Sequence, residues 1–213
     1  MKSILLILIL SAFSILPSWG QSGKLFNTDN QLSSNLATQV FQDRSGFIWI
    51  ATRNGLNAYD GYHISIMKKE LANSQGLNSN YINCITQDDK GHIILGTNNS
   101  LLAFTGSEFR KIPMLDPKGK ELTTYVTQVY SLRNKDIAVG TSGYGILLKK
   151  PDVQECHAMK GDVEKLKHIH KLLEDKQGRL WIITEDGRLH RKETNGKITS
   201  RFHGTEGLTI QDI

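Results

Sequence analysis

Apolar residues in this chain come in short runs, and nearly every run is closed by Asp, Asn or Gly. Val40 and Phe41 begin the pattern as part of a first expected strand. Asp43-Arg44-Ser45-Gly46 follows as a turn, because Asp accepts local backbone hydrogen bonds and Gly takes positive φ without steric cost. Phe47 to Thr52 is almost wholly apolar, which predicts a second strand buried on both faces. Asn54-Gly55 is a two-residue hairpin signal. Leu56 to Tyr59 then make a third strand, Asp60-Gly61 turns again, and the alternation from Tyr62 to Ile66 predicts an outer fourth strand.

The same pattern returns along the chain. Gln42-Asp43-Arg44-Ser45-Gly46-Phe47-Ile48-Trp49-Ile50-Ala51-Thr52 reappears as Gln87-Asp88-Asp89-Lys90-Gly91-His92-Ile93-Ile94-Leu95-Gly96-Thr97. It returns in part as Ile137-Ala138-Val139-Gly140-Thr141, and again as Glu174-Asp175-Lys176-Gln177-Gly178-Arg179-Leu180-Trp181-Ile182-Ile183-Thr184. Thr52, Thr97, Thr141 and Thr184 mark the register, and Ile85, Val129 and Leu172 stand where Val40 does. A second string keeps the same period: Leu32-Ser33-Ser34-Asn35 recurs as Leu77-Asn78-Ser79-Asn80, and Phe202 and Leu208 lie 176 residues beyond Phe26 and Leu32. A fifth copy is therefore expected to open at Gly207-Leu208-Thr209, with the sequence ending inside it at Ile213.

Four short strands in every 43 to 45 residues, with turn residues at fixed offsets, predict β-propeller blades. The expected fold class is all-β: about four blades of four antiparallel strands plus the start of a fifth, an incomplete propeller. A β-sandwich would not repeat the same loops at one period, and a solenoid usually has shorter repeats. Lead-ins to the copies are placed near residues 32, 77, 121, 165 and 208.

Composition narrows the setting. The chain has 213 residues, of which 38 % are hydrophobic and 22 % charged, excluding a disordered chain and a polytopic membrane protein. Nineteen Gly against four Pro fit many tight turns. The net charge is +5, but basic residues are scattered and run no longer than a pair, which gives no nucleic-acid footprint. Met1 to Gln21 place Lys2 before an apolar run from Ile4 to Leu16, then Pro17 and Ser18-Trp19-Gly20. That layout is a secretory signal peptide over residues 1–20, cleaved after Gly20, with the propeller part from 21 to 213. An uncleaved anchor is the alternative; the run spans only about 20 Å as a helix, short of a hydrocarbon core of about 30 Å. Cys84 falls in an expected strand and Cys156 in an expected linker from Asp152 to Lys165; a bridge between them has no support in the pattern, and no CxxC occurs.

The string Asp43 to Gly61 resembles the two-component regulator propeller repeat, and Leu32-Ser33-Ser34-Asn35 is similar to the lead-in of the same family. The resemblance runs from Phe26 to the end. It is strongest in the first and fourth copies and weaker in the second, where Ile94 replaces Trp and Ser100 the hairpin Gly. The third copy departs, with Ala138 for Trp and Asn134-Lys135 for the turn glycine. The resemblance implies the periplasmic sensor region of a membrane-bound hybrid histidine kinase of Bacteroidetes type. It further implies a glycan or oligosaccharide ligand, a role in polysaccharide utilisation and a homodimeric parent anchored in the inner membrane. It supplies no ligand-binding residues, because the repeated motif is structural. The kinase His box, ATP-binding glycine boxes, receiver Asp and second apolar span are missing from the sequence, so an N-terminal fragment is expected.

Candidate chemistry is thin. Trp49 and Trp181 could stack on sugars, but a repeated position inside apolar strands predicts a core role. Asp43, Asp88 and Asp175 recur once per copy at a turn, where Asp holds local geometry and no acid pair is formed. The Asp-x-x-Gly-x-x-Trp turn is also similar to the Asp-box of sialidases, itself a structural hairpin. His168 and His170 alternate along an expected strand, so a metal pair is geometrically open, but no third ligand is apparent and lysines surround them. Asn98-Asn99-Ser100 matches a glycosylation sequon on a tight turn. Walker, G-x-S-x-G and HExxH motifs are absent. No catalytic residue, cofactor or metal is therefore expected, and the ligand-binding residues are left unassigned. The expected function is a ligand-sensing propeller region in the exported space. The alternatives are a propeller enzyme of lyase or sialidase-like type, and a protein-binding scaffold.

Overall fold

A computed structural model describes residues 23–70, 76–161, 163 and 166–201. The signal-peptide segment, Phe202, Leu208 and the expected fifth copy lie outside the described residues. Four sheets follow one another, antiparallel except for one parallel edge strand added to the third. The first is β1 (Ala37–Gln42), β2 (Ile48–Thr52), β3 (Gly55–Tyr59) and β4 (Ile64–Met67). The second is β5 (Ile82–Gln87), β6 (Ile93–Thr97), β7 (Leu101–Phe104) and β8 (Phe109–Ile112). After a short β9 (Met114–Leu115), the third is β10 (Val126–Ser131), β11 (Ile137–Thr141), β12 (Ile146–Lys149) and β13 (Cys156–Ala158). The fourth is β14 (Ile169–Glu174), β15 (Leu180–Thr184), β16 (Leu189–Lys192) and β17 (Ile198–Arg201). This is the expected all-β set of propeller blades, and β1, β5, β10 and β14 lie next to one another in that order as the inner strands.

The register repeats with the sequence. Each inner strand pairs with its second strand through the same irregularity, between Ala37 and Gln39, Ile82 and Cys84, Val126 and Gln128, and Ile169 and Lys171. The extra residue there is Thr38, Asn83, Thr127 or His170, a β-bulge at one place in every blade.

The second strands β6 and β11 are apolar because each faces a neighbouring blade on both sides. In β6, Ile93 and Leu95 pack towards the first blade with Leu56, Leu77 and Ile82, while Ile94 packs towards the third with Val126, Val129 and Val139. In β11, Ile137 and Val139 face the second blade, and Ala138 joins Ile169, Leu172 and Ile182 of the fourth. Close approach needs Gly96: a Cβ there would overlap Cys84 Sγ and lie 2.5 Å from Val126 Cγ1. Inner strands are also tied by side chains reaching the next blade. Gln39 Oε1 accepts from Ile85 N at 2.9 Å, Gln39 Nε2 donates to Ile85 O at 3.2 Å, and Gln128 Oε1 accepts from Leu172 N.

Three expectations are corrected. The stretch from Asp152 to Lys165 is not all linker: Cys156–Ala158 forms the outer strand β13, pairing with Leu147–Lys149 and, in parallel, with β9. Burial of Cys156 under that added strand supplies the apolar reason, which no turn residue announces. The second strand starts at Ile48, leaving Phe47 partly exposed, and the outer strand runs from Ile64 to Met67 rather than from Tyr62. Tyr62 instead sits in the Asp60 turn, its N–H donating to Asp60 Oδ1 at 2.7 Å.

Candidate functional site

The repeated residues at the rim make turns. Asp43 Oδ1 accepts from Ser45 N at 2.8 Å and Phe47 N at 3.0 Å, and Oδ2 accepts from Trp49 Nε1 at 2.8 Å. Asp175 repeats the set with Gln177 N, Arg179 N and Trp181 Nε1 at 2.9, 3.0 and 2.8 Å. Asp88 keeps the backbone pair and takes His92 Nδ1 at 2.9 Å where the indole is missing. The third blade puts Leu132 at this position, and Lys135 occupies the turn glycine's place at φ +71°. A carboxylate that accepts so many local donors is spent on geometry. Partial burial pushes Asp175 up, but the bonds from Trp181, Arg179 and Gln177 outweigh it and hold the carboxyl well below its ordinary range.

The threonines close the opposite hairpins. Thr52, Thr97 and Thr141 are fully buried, and their hydroxyls donate to Gly55 O, Ser100 O and Gly145 O at 2.8, 3.0 and 2.8 Å. Trp49 is buried between the first and second blades, whereas Trp181 is half-buried and lies under the guanidinium groups of Arg191 and Arg179. Both tryptophans bond the turn carboxylate of their hairpins; Trp49 has the expected core role, whereas Trp181 lies at a half-buried face outside the core.

A different set of residues lines the axis. The inner strands enclose a cleft of about 880 Å³. Its wall carries the bulge residues Thr38, Asn83, Thr127 and His170, and beside them Gln39, Cys84, Gln128 and Lys171. At one mouth stand Leu36, Tyr81 and Tyr125, which precede the inner strands, and Arg53, Ser142 and Glu185, which follow the repeated threonines. These positions are equivalent from blade to blade; Thr38 and Thr127, Gln39 and Gln128, and Tyr81 and Tyr125 repeat, whereas the residue after the repeated threonine changes from Arg53 to Ser142 to Glu185.

The polar groups of the cleft are partly committed. Thr38 Oγ1 donates to Ile82 O at 2.6 Å and Asn83 Nδ2 to Val126 O at 2.9 Å, so each joins its blade to the next. Asn83 Oδ1 and Thr127 Oγ1 are shielded from solvent and lack a hydrogen-bond partner. At the mouth, the Arg53 guanidinium lies 5.4 Å from the Tyr81 ring centre, and Tyr81 meets Tyr125 edge-on at 6.4 Å. Burial, then the neighbouring Tyr81, raises the Tyr125 phenol above its ordinary value.

The structure separates His168 from His170. His170 lines the axial cleft, while His168 lies outside it with Nδ1 3.5 Å from Glu185 Oε2 and 3.4 Å from Ser142 Oγ. Among the described residues no group of three or more His, Cys, Asp and Glu could hold a metal ion. Cys84 and Cys156 are free and buried, and burial pushes each thiol up to about 12. Asn98 and Asn99 are exposed on the β6–β7 hairpin. The axial residues escaped the sequence reading because they carry no motif. Their one signal is the change from Arg53 to Ser142 to Glu185 directly after a threonine that repeats.

Residues 31–54, 76–99 and 165–186 match the family model described as two component regulator propeller. The unmatched blade is the third, which lacks the Asp, the glycine and the tryptophan. No curated protein matches the chain. Among solved structures, it is similar to the extracellular domain of a candidate hybrid two component system from B. thetaiotaomicron, with a TM-score of 0.73 and 23 % identity, over 84 % of this chain and 26 % of that one. A second such extracellular domain from the same organism gives a TM-score of 0.66 at 17 % identity, over 79 % of this chain and 25 % of that one. The chain thus spans about a quarter of the length of those domains. A streptogramin B lyase gives a TM-score of 0.63 at 13 % identity, over 83 % of this chain and 57 % of that one. At these identities the likeness is one of fold. No helix among the described residues is long and apolar enough to cross a membrane. The three stretches that match this family model fall in blades one, two and four.

Proposed function

We propose that this chain forms ligand-sensing blades in the exported region of a hybrid two-component sensor, with oligosaccharides as the ligand class. Residues 1–20 direct export and 21–213 form the propeller part of a dimeric parent anchored in the inner membrane. One observation carries the reading: the axial cleft is lined by polar and aromatic side chains, and at its mouth the residue after the repeated threonine changes from Arg53 to Ser142 to Glu185. Architecture requires equivalent residues at equivalent places, as at the rim. Recognition of an asymmetric ligand requires different ones. The family repeats and the likeness to extracellular sensor domains support the setting. A ligand biases such a sensor only by its differential affinity for two arrangements of the blades or protomers.

The test is a calorimetric titration of the chain with a panel of neutral and acidic oligosaccharides, followed by product analysis. Binding with the sugars recovered intact is the expected result. Release of cleaved product would replace the sensing reading by an enzymatic one, and no heat with any member of the panel would remove the ligand class.

A further inference from the structure

The mouth and wall of the axial cleft carry more chemistry than a neutral sugar uses. Arg53 is exposed, its guanidinium is braced over Tyr81, and among the described residues it has no carboxylate within ion-pair distance. Lys171 and His170 add basic groups along the same wall. The acid of the cleft, Glu185, is engaged elsewhere: its Oε1 accepts from Ser142 Oγ at 3.1 Å and its Oε2 lies 3.5 Å from His168. Tyr125 is 40 % exposed and offers ring surface next to the arginine.

We propose that this cleft takes an acidic sugar, with the uronate carboxylate on Arg53 and the ring against Tyr125. The inference rests on the oligosaccharide reading above and names its chemical class. A guanidinium fork matches a carboxylate in two parallel hydrogen bonds, the strongest polar contact a side chain offers a sugar acid. The flat apolar side of a pyranose suits a tyrosine ring.

The experiment titrates the full chain, at low concentration and by its intrinsic fluorescence, with digalacturonate and with neutral galactobiose, for the native protein and for Arg53→Gln. Digalacturonate is expected to bind at least about tenfold more tightly than galactobiose, and Arg53→Gln to erase that preference while leaving the melting temperature in place. Equal binding of the two sugars, or a preference that survives Arg53→Gln, overturns the acidic assignment and leaves the oligosaccharide reading standing. Failure of both sugars to bind also overturns the assignment, and the wider panel then decides whether the sensing reading falls with it.

Discussion

The rim hairpins and the axial cleft share one period and use it in opposite ways. At the rim, Asp43, Asp88 and Asp175 repeat because each accepts the same pair of backbone N–H groups. Along the axis, Arg53, Ser142 and Glu185 occupy one position after the repeated threonine and differ in charge from blade to blade. A repeated residue in a repeat fold reports a backbone that must be held, and a varied one marks a place where the backbone is already held and the side chain is free to serve something else.

That contrast is broken most forcefully at Trp49. Trp49→Ala opens a cavity between two blades and frees Asp43 Oδ2, so a loss of about 3–5 kcal/mol is expected in urea unfolding. Trp181→Ala removes the equivalent side chain from a half-buried face and should cost less, about 1–2 kcal/mol. Equal losses would mean that the hairpin, and not the neighbouring blade, sets the energy of this position. Next comes Gly96→Ala, which forces a methyl group into Cys84 Sγ and Val126 and should cost about 1–3 kcal/mol by overpacking.

Much of the rim was legible beforehand because turns and hairpins are local. Asp43-Arg44-Ser45-Gly46 and Asn54-Gly55 state their geometry within a few residues, and the apolar second strand states that it has neighbours on both sides. Strand β13 was not legible: Cys156–Ala158 is recruited by pairing with β12 and with the distant β9, and pairing at that range leaves no local mark. The cleft was unreadable for a similar reason. Arg53, Tyr125 and His170 are far apart in the chain and meet only because three blades bring the same register to one axis.

Acid exposes a smaller effect in the fourth blade. Burial lowers the His190 imidazole pKa while Asp186 pulls it up, and the net direction is down. A base whose folded value is depressed contributes stability that is complete above the ordinary histidine value of about 6.5 and is lost as pH falls below it. Asp175, held below the carboxylate range, adds a loss that sets in only below about pH 4. Asn57 stands at the equivalent place in the first blade and bonds Ile50 O and Ser33 Oγ at 3.0 and 2.9 Å. His190→Asn should therefore fold and flatten the melting-temperature slope between about pH 5 and 6.5, leaving the lower limb to Asp175, Asp186 and Asp60, all held below the ordinary carboxylate value. An unchanged slope would acquit His190. The smallest effect is expected at Lys135: Lys135→Gly relieves a left-handed backbone and should raise stability by about 0.5–1 kcal/mol in the one blade that lost its turn glycine.

The division between holding and recognising is tested most directly by hydrogen exchange on the full chain, with and without the oligosaccharide that binds it in titration. Slowed exchange confined to the inner strands β1, β5, β10 and β14 and to the mouth around Arg53 and Tyr125, with the Asp43, Asp88 and Asp175 turns unchanged, is the predicted result. Protection centred on those turns, with none at the axis, would contradict it.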